Sequence, residues 1–108
     1  MKQKLLFICN ANFHRSPTAA EVFKDKYKTK SAGVGFIANQ PLTEELIKWA
    51  DIIFVMEDWQ RKTMAEKFPK QYLKKMIINL DIPDIYNYMN EKLVTILKKK
   101  IKQFYTKN

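Results

Sequence analysis

The chain has 108 residues, which is the size of one domain and leaves no room for a second. Hydrophobic residues make up 46% of it and charged residues 29%, a balance that excludes a disordered chain and a fibrous one. Twenty Lys and Arg against eleven Asp and Glu give a net charge of +9, so charge alone allows nucleic acid, an acidic membrane surface or an anionic substrate as the partner.

The sequence carries neither a targeting signal nor a metal signature. The opening residues are too few for a signal peptide and contain no small-residue cleavage site, and no apolar run reaches the ~20 residues needed to span a bilayer. We therefore expect a cytoplasmic protein that does not bind membranes. The single cysteine, Cys9, and the single histidine, His14, exclude an intramolecular disulfide, a cysteine-based metal cluster and a zinc site of paired histidines. We expect no metal and no cofactor.

The first half of the chain alternates strand and helix signals. Residues 4–9 form a continuous apolar run, typical of a strand buried on both faces. Ser16 as a cap and Pro17 as the first helical residue predict the start of a helix. Residues 29–33 predict a short second strand, and residues 41–50 predict a helix with one apolar face.

The second half repeats the alternation. Residues 52–56 predict another buried strand, and Asp58 predicts the cap of a helix that Pro69 ends. Residues 76–80 predict the next strand. The last helix is predicted to begin near Asn90 and has an apolar stripe at a period of 3.6.

This alternation predicts one domain over residues 1–108, an α/β fold that is doubly wound, with about four parallel strands and helices on both faces. Ligands bind such sheets beyond the carboxyl ends of the strands. The candidate site therefore lies in the loops that follow Cys9, Met56 and Leu80.

The loop after the first strand has the residues that a phosphate site needs. Cys9 ends the strand, Arg15 follows six residues later, and a helix begins directly afterwards. The residues between them can curl so that backbone N–H groups converge on one anion, while Arg15 offers a planar fork to two phosphate oxygens. The same positive field favours a thiolate at Cys9, a nucleophile aimed at phosphorus, and Ser16 can donate to the sulfur.

This run resembles the signature of the low-molecular-weight protein tyrosine phosphatases, a family with a four-stranded parallel sheet. The resemblance implies that Cys9 is the nucleophile and forms a phosphocysteine, and that Arg15 holds the phosphoryl group. It also implies that Asn12 braces the loop and that Ser16 stabilises the thiolate. The expected phosphate-binding residues are Asn10, Ala11, Asn12, Phe13, His14, Arg15 and Ser16.

Further segments extend the resemblance. Ser31, Ala32 and Gly33 are similar to a family segment whose serine helps to hold the loop asparagine. Residues 82–86 are similar to the family loop that carries the general acid, which implies that Asp84 has this role. Asp81 is a competing candidate. Tyr86 would then line the mouth of the pocket, and Trp59, which follows the third predicted strand, is placed at the pocket rim.

Three departures from the family pattern bear on the substrate and on protection from oxidation. Only sixteen residues separate Gly33 from Ala50, where the family has a longer stretch that forms part of the substrate wall, and Ile85 replaces a proline. His14 stands where many relatives have a second cysteine, so Cys9 has no disulfide partner against peroxide. The expected ligands are a phosphotyrosine protein or a small phosphomonoester, with inorganic phosphate or vanadate in the loop.

Other functions remain open at this stage. The leading hypothesis is a metal-independent, cysteine-dependent phosphatase. One alternative is a phosphocysteine carrier subunit of a sugar-uptake system, and another is a non-catalytic phosphate-binding module. Arsenate reduction would need an external thiol. Nucleic-acid binding is not expected, because the lysines of the last predicted helix mostly lie away from its apolar stripe and fit a solvated face.

Overall fold

The computed structural model of the chain describes residues 2–107. Strands and helices alternate along most of these residues, as the sequence predicts. In chain order the elements are β1 (Lys4–Cys9), α1 (Arg15–Phe23), β2 (Lys28–Gly33), α2 (Glu44–Trp49), β3 (Ile52–Val55), α3 (Asp58–Lys67), α4 (Pro69–Tyr72), β4 (Met76–Asn79) and α5 (Glu91–Lys107).

The four strands form one parallel sheet in the order β2-β1-β3-β4. The prediction of a doubly wound α/β fold with about four parallel strands is therefore confirmed. The central position of β1 explains its continuous apolar run, because both of its faces are covered. Its carboxyl end, at Cys9, lies between the ends of β2 and β3, where the two flanking strands can contribute to a site.

Two apolar layers cover the sheet. On one face, Leu5 and Phe7 of β1 belong to a cluster with α1 and α5, in which Phe7 stacks on Phe23 and on Phe54. On the other face, Leu6 and Ile8 belong to a cluster that includes residues of α2 and α3. Successive side chains of a strand point to opposite faces, so the alternation within β1 builds both layers and fixes the position of Cys9.

Several helix boundaries differ from the predictions because of local capping. Helix α1 begins at Arg15 with His14 as its N-cap, not at Pro17 with Ser16 as the cap. Helix α2 begins only at Glu44, because the Thr43 hydroxyl accepts the backbone N–H of Leu46 and caps the helix there. The predicted start at residue 41 is wrong, because Pro41 instead forms a β-bridge with Gly33.

The start of α3 also corrects a prediction. Its N-cap is Glu57, which forms a reciprocal capping box with Gln60. Asp58 is the first helical residue, and its carboxylate accepts a hydrogen bond from Arg61 Nε at 2.9 Å. This hydrogen bond lowers the pKa of Asp58. Pro69 follows the end of α3 as predicted, but it also starts the short helix α4, which the sequence reading missed.

The last helix agrees with its prediction. Asn90 caps α5, since its Oδ1 accepts the backbone N–H of Lys92 at 2.9 Å and that of Leu93 at 3.3 Å. Leu93, Leu97 and Ile101 of the predicted stripe are buried against the sheet. No helix within residues 2–107 combines the length and the apolar composition needed to cross a membrane.

Candidate active site

Three loops at the carboxyl edge of the sheet meet at Arg15, whose side chain is only 2% exposed. Its Nη1 donates to the carbonyl oxygen of Ile82 at 2.8 Å and forms a charged hydrogen bond with Glu57 Oε1. Its Nε lies 3.7 Å from Asp84 Oδ1. Glu57 follows β3, and Ile82 and Asp84 follow β4. The Arg15 guanidinium therefore connects the loops at the carboxyl ends of the strands, where the sequence analysis placed the candidate site.

The Cys9 sulfur lies at the base of this arrangement and is almost fully buried. It accepts the backbone N–H of Asn12 at 3.3 Å, and Ser16 Oγ lies 3.0 Å away. The Ser16 hydroxyl also receives a hydrogen bond from Asn12 Nδ2 at 2.8 Å. The single proton of the Ser16 hydroxyl has two acceptors within reach, the sulfur at 3.0 Å and the Ala32 carbonyl oxygen at 3.4 Å, and the sulfur is the nearer of the two. Hydrogen-bond donors aimed at the sulfur stabilise negative charge on it.

The loop of residues 9–16 takes its curvature from one unusual backbone angle. Asn12 has φ of +62°, in the left-handed region that asparagine tolerates better than most residues. At this bend the Asn12 side chain turns back to Ser16 while its N–H points at Cys9. The loop therefore holds the shape of an anion cradle through its own contacts, with the first turn of α1 at its open end.

The segment of residues 33–39 supports the same loop from the side of β2. The carbonyl groups of Cys9, Asn10 and Ala11 accept the backbone N–H groups of Val34, Gly35 and Asn39 at 3.1, 2.9 and 2.9 Å, respectively. The approach is so close that a Cβ atom on Gly35 would lie 2.3 Å from Asn10 Oδ1. A larger residue at position 35 would have to displace the Asn10 side chain, so glycine allows the two segments to approach this closely.

The two candidate general acids, Asp81 and Asp84, lie in different surroundings. Asp84 lies beside Arg15, as described above, with its side chain 58% exposed. Asp81 instead lines a surface cavity with Ile96, Lys99 and Gln103 of α5, and its carbonyl oxygen accepts a hydrogen bond from Lys100 Nζ at 3.1 Å. Of the two, Asp84 is the one that the structure brings to the cysteine loop.

Other predicted site residues lie in different surroundings. Phe13 and His14 are exposed on the loop. Ser31 lines a surface cavity with Gln40 and Thr43, and within the described part of the chain the hydrogen-bond partner of the Asn12 side chain is Ser16. Among the described residues Ser31 makes no side-chain hydrogen bond to the cysteine loop, and its supporting role stays a prediction.

The two residues expected at the pocket rim are also peripheral. Trp59 is an exposed residue of the first turn of α3, two positions after Glu57. Tyr86 packs against the α1/α5 core layer and lines a shallow cavity with Glu91 and Thr95. A rim role for either aromatic side chain stays a prediction.

Glu57 is the site residue that the sequence reading missed. It supplies a carboxylate to the buried Arg15 and also caps α3. A signal was present, because Glu57 directly follows Met56 in a loop already identified as a candidate. Within residues 2–107 no group of three or more His, Cys, Asp or Glu side chains could hold a metal ion.

Solved structures with a similar backbone identify the architecture. The low-molecular-weight protein tyrosine phosphatase of T. tengcongensis superposes with a TM-score of 0.78 at 22% sequence identity, over 98% of this chain and 99% of that one. The chain has the fold of the low-molecular-weight protein tyrosine phosphatases. No protein-family model and no curated sequence matches it.

Two further structures with the low-molecular-weight phosphatase fold belong to phosphatases of different specificity. The tyrosine phosphatase Wzb from Escherichia coli K30, in complex with phosphate, has a TM-score of 0.73 at 22% identity and covers 99% of both chains. The YwlE arginine phosphatase from Geobacillus stearothermophilus has a TM-score of 0.71 at 22% identity and covers 97% of this chain and 94% of its own. One low-molecular-weight phosphatase fold therefore serves more than one kind of phosphorylated side chain.

Proposed function

We propose that the protein is a metal-independent phosphatase that hydrolyses phosphomonoesters through a phosphocysteine on Cys9. The observation that carries this proposal is the convergence of three groups. The Cys9 sulfur has donors aimed at it, Arg15 is buried at the end of the same loop, and Asp84 comes to Arg15 from a different loop. The similarity to solved phosphatases supports the same reaction class.

In the first step the Cys9 thiolate attacks phosphorus, so that an S–P bond forms while the ester P–O bond breaks. Arg15 Nη1 is already bound to Glu57 and Ile82, which leaves the Nε edge beside Asp84 to hold two phosphoryl oxygens. The N–H groups of the 9–16 loop and the start of α1 bind the remaining charge. Asp84, in its protonated form, donates its proton to the leaving oxygen.

In the second step a water molecule attacks the phosphocysteine. The Asp84 carboxylate accepts a proton from this water, the S–P bond breaks, and Cys9 leaves as a thiolate while inorganic phosphate forms. The Ser16 hydroxyl, 3.0 Å from the sulfur, stabilises this leaving thiolate. An acid–base group beside the intermediate shortens its lifetime, which favours hydrolysis over a phosphocysteine carrier.

The surroundings of the loop favour an aryl phosphate, free or as phosphotyrosine in a protein. Phe13 lies on the loop itself with 54% of its surface exposed. Phe36 and Ile37, in the supporting segment, are also largely exposed. Apolar surface beside an anion cradle suits a phosphate attached to an aromatic ring. The net charge of +9 assists the approach of such anions. We also propose a cytoplasmic location for the enzyme, as the sequence predicts.

The test is hydrolysis of para-nitrophenyl phosphate in the presence of EDTA, with vanadate as a competing ligand. We expect turnover by the wild type and a loss of about 10³-fold or more for Cys9→Ser, with vanadate and phosphate still bound by the variant. Turnover that persists in Cys9→Ser, or that EDTA abolishes, would contradict the mechanism. A wild type that binds phosphate without turnover would instead support the non-catalytic binder.

A further inference from the structure

The loop of residues 81–90, which carries Asp84, is tied to the start of α1 by two hydrogen bonds. The backbone N–H of Tyr88 donates to His14 Nδ1 at 3.2 Å, and the backbone N–H of Met89 donates to Thr18 Oγ1 at 2.8 Å. Thr18 Oγ1 in turn donates to the carbonyl oxygen of His14 at 2.6 Å. His14 and Thr18 thus form one acceptor pair for two consecutive backbone N–H groups.

The other end of the 81–90 loop is held independently. Ile82 is fully buried, its N–H donates to the Met56 carbonyl at 2.7 Å, and its own carbonyl accepts from Arg15 at 2.8 Å. Asp84 lies between this anchor and the one at Tyr88 and Met89. A segment fixed at both ends has fewer conformations than one fixed at a single end, so the second anchor restricts where the Asp84 carboxyl can lie.

We infer that His14 is a positioning residue, which holds the end of the 81–90 loop so that Asp84 stays within reach of the leaving oxygen. The inference rests on the proposed function, and it gives the imidazole no contact with the reacting atoms. Nδ1 acts as the acceptor, so the ring proton of the neutral form sits on Nε2. The His14 side chain is exposed and makes no cap bond to α1, so we expect a substitution there to leave the fold intact.

Two substitutions separate the acceptor from the size of the side chain. His14→Asn keeps an acceptor oxygen at the same number of bonds from the backbone as Nδ1, and His14→Leu has a similar size but no acceptor. We expect His14→Leu to speed amide hydrogen exchange at Tyr88 by about 3- to 10-fold, the range set by loss of one hydrogen bond. We expect His14→Asn to exchange nearly as slowly as the wild type.

Kinetics with two esters show whether the anchor serves the acid. Phenyl phosphate has a poor leaving group and needs protonation by Asp84, whereas 2,4-dinitrophenyl phosphate has a good one and does not. We expect His14→Leu to lower kcat/KM for phenyl phosphate by about 3- to 10-fold and to change the value for the dinitrophenyl ester little. His14→Asn should restore most of the loss.

A double-mutant cycle completes the test, because a residue that acts only through Asp84 has no effect once Asp84 is gone. We therefore expect His14→Leu to cause no further loss of phenyl phosphate hydrolysis in an Asp84→Asn background. Equal losses for the two esters, an additive loss in that background, or unchanged exchange at Tyr88 would each overturn the inference while the wild type stays active. A wild type that hydrolyses neither ester would overturn the proposed function itself, and the exchange rates would still decide whether His14 holds the loop.

Discussion

Asp84 Oδ1 lies 3.7 Å from Nε of Arg15, although 69 positions separate the two residues in the sequence. Arg15 comes from the end of the loop after β1, and Asp84 from the loop after β4, at the edge of the sheet. The contact places a carboxyl group beside the guanidinium edge that holds the phosphoryl group in the proposed mechanism. It is the geometric basis for treating Asp84 as the acid and base of the reaction.

Asp84→Asn should lower kcat/KM for phenyl phosphate by about 10²- to 10⁴-fold, since the amide cannot supply a proton to the leaving oxygen. The matched control is Asp81→Asn. Asp81 has φ of +56°, which asparagine also tolerates, so this variant should fold normally and keep its activity. Steady-state kinetics of both variants provide the test, and a larger loss for Asp81→Asn would reverse the assignment.

Glu57→Gln should change how strongly phosphate stabilises the protein. Glutamine keeps an oxygen for the capping box of α3 but removes the negative charge beside the buried Arg15. We expect a loss of roughly 1–3 kcal/mol in the free energy of unfolding without phosphate. Saturating phosphate should recover more stability in the variant than in the wild type, because the bound anion supplies negative charge near Arg15 that the substitution removed.

Thermal unfolding with and without phosphate measures this difference. Glu44→Gln is a suitable control, because Glu44 forms an exposed ion pair with Lys48 within α2. Such pairs contribute little to stability. An equal phosphate-induced rise in Tm for the wild type and Glu57→Gln would show that Glu57 does not balance the charge of Arg15.

Asn12→Ala and Asn12→Gly should differ in stability even though both lose the side-chain hydrogen bond to Ser16. Position 12 has a positive φ, which costs alanine more than glycine. We expect the alanine variant to be about 1 kcal/mol less stable than the glycine variant, after allowing for the greater freedom of glycine in the unfolded chain. Urea unfolding of the two variants measures this value, and equal midpoints would show that the bend is not strained.

Gly33→Ala should disturb the cysteine loop more than Gly35→Ala does. A Cβ on Gly33 would lie 2.4 Å from the backbone oxygen of Asn10 and 2.7 Å from Ala38 Cβ. A Cβ on Gly35 meets the movable Asn10 side chain first, at 2.3 Å, and the Asn10 backbone oxygen only at 2.9 Å. We expect Gly33→Ala to cost about 1–3 kcal/mol of stability and to weaken phosphate binding.

Titration calorimetry with phosphate and urea unfolding measure the two effects. Adding Asn10→Ala to Gly35→Ala should recover part of its smaller loss, because the nearest clashing atom is removed. The same addition should not rescue Gly33→Ala, whose clash is with the backbone. Rescue of both variants would show that the side chain of Asn10, not the path of the main chain, sets the spacing between the two segments.

The sheet could be predicted closely because its signal is local. β1 and β3, inside the sheet, are continuous buried apolar runs, and β1 matches its predicted range. The other strands differ from their predicted ranges by a single residue at one end, although β2 and β4, at the sheet edges, are less buried. Helix starts were less accurate because they depend on which side chain closes a cap. The N-caps are Thr43 in α2 and Glu57 in α3. Neighbouring residues compete for the N-cap position because the free energies of the alternative caps differ little.

Neighbouring residues of the candidate site could be predicted together, whereas contacts between distant segments could not, apart from the one loop that resembles a known family. The run from Cys9 to Ser16 contains the proposed nucleophile, the arginine and the serine within eight residues. Asp84 was proposed because residues 82–86 resemble a loop of a known family. The pairing of Glu57 with Arg15 and the contact of His14 with the Tyr88 backbone join distant segments. No pattern along the chain shows which carboxylate or imidazole will face a given partner, because the packing of the loops decides it.

The segment that follows β2 is joined to the cysteine loop by main-chain hydrogen bonds of Val34, Gly35 and Asn39. At its tip, the side chains of Phe36 and Ile37 point into solvent and contribute little to the core. This segment is thus attached by main-chain N–H groups, which every amino acid except proline has. On the proposed function, positions 36 and 37 are therefore a natural place to redesign the preference for one phosphorylated group over another, because the main-chain hydrogen bonds to the cysteine loop come from residues 34, 35 and 39.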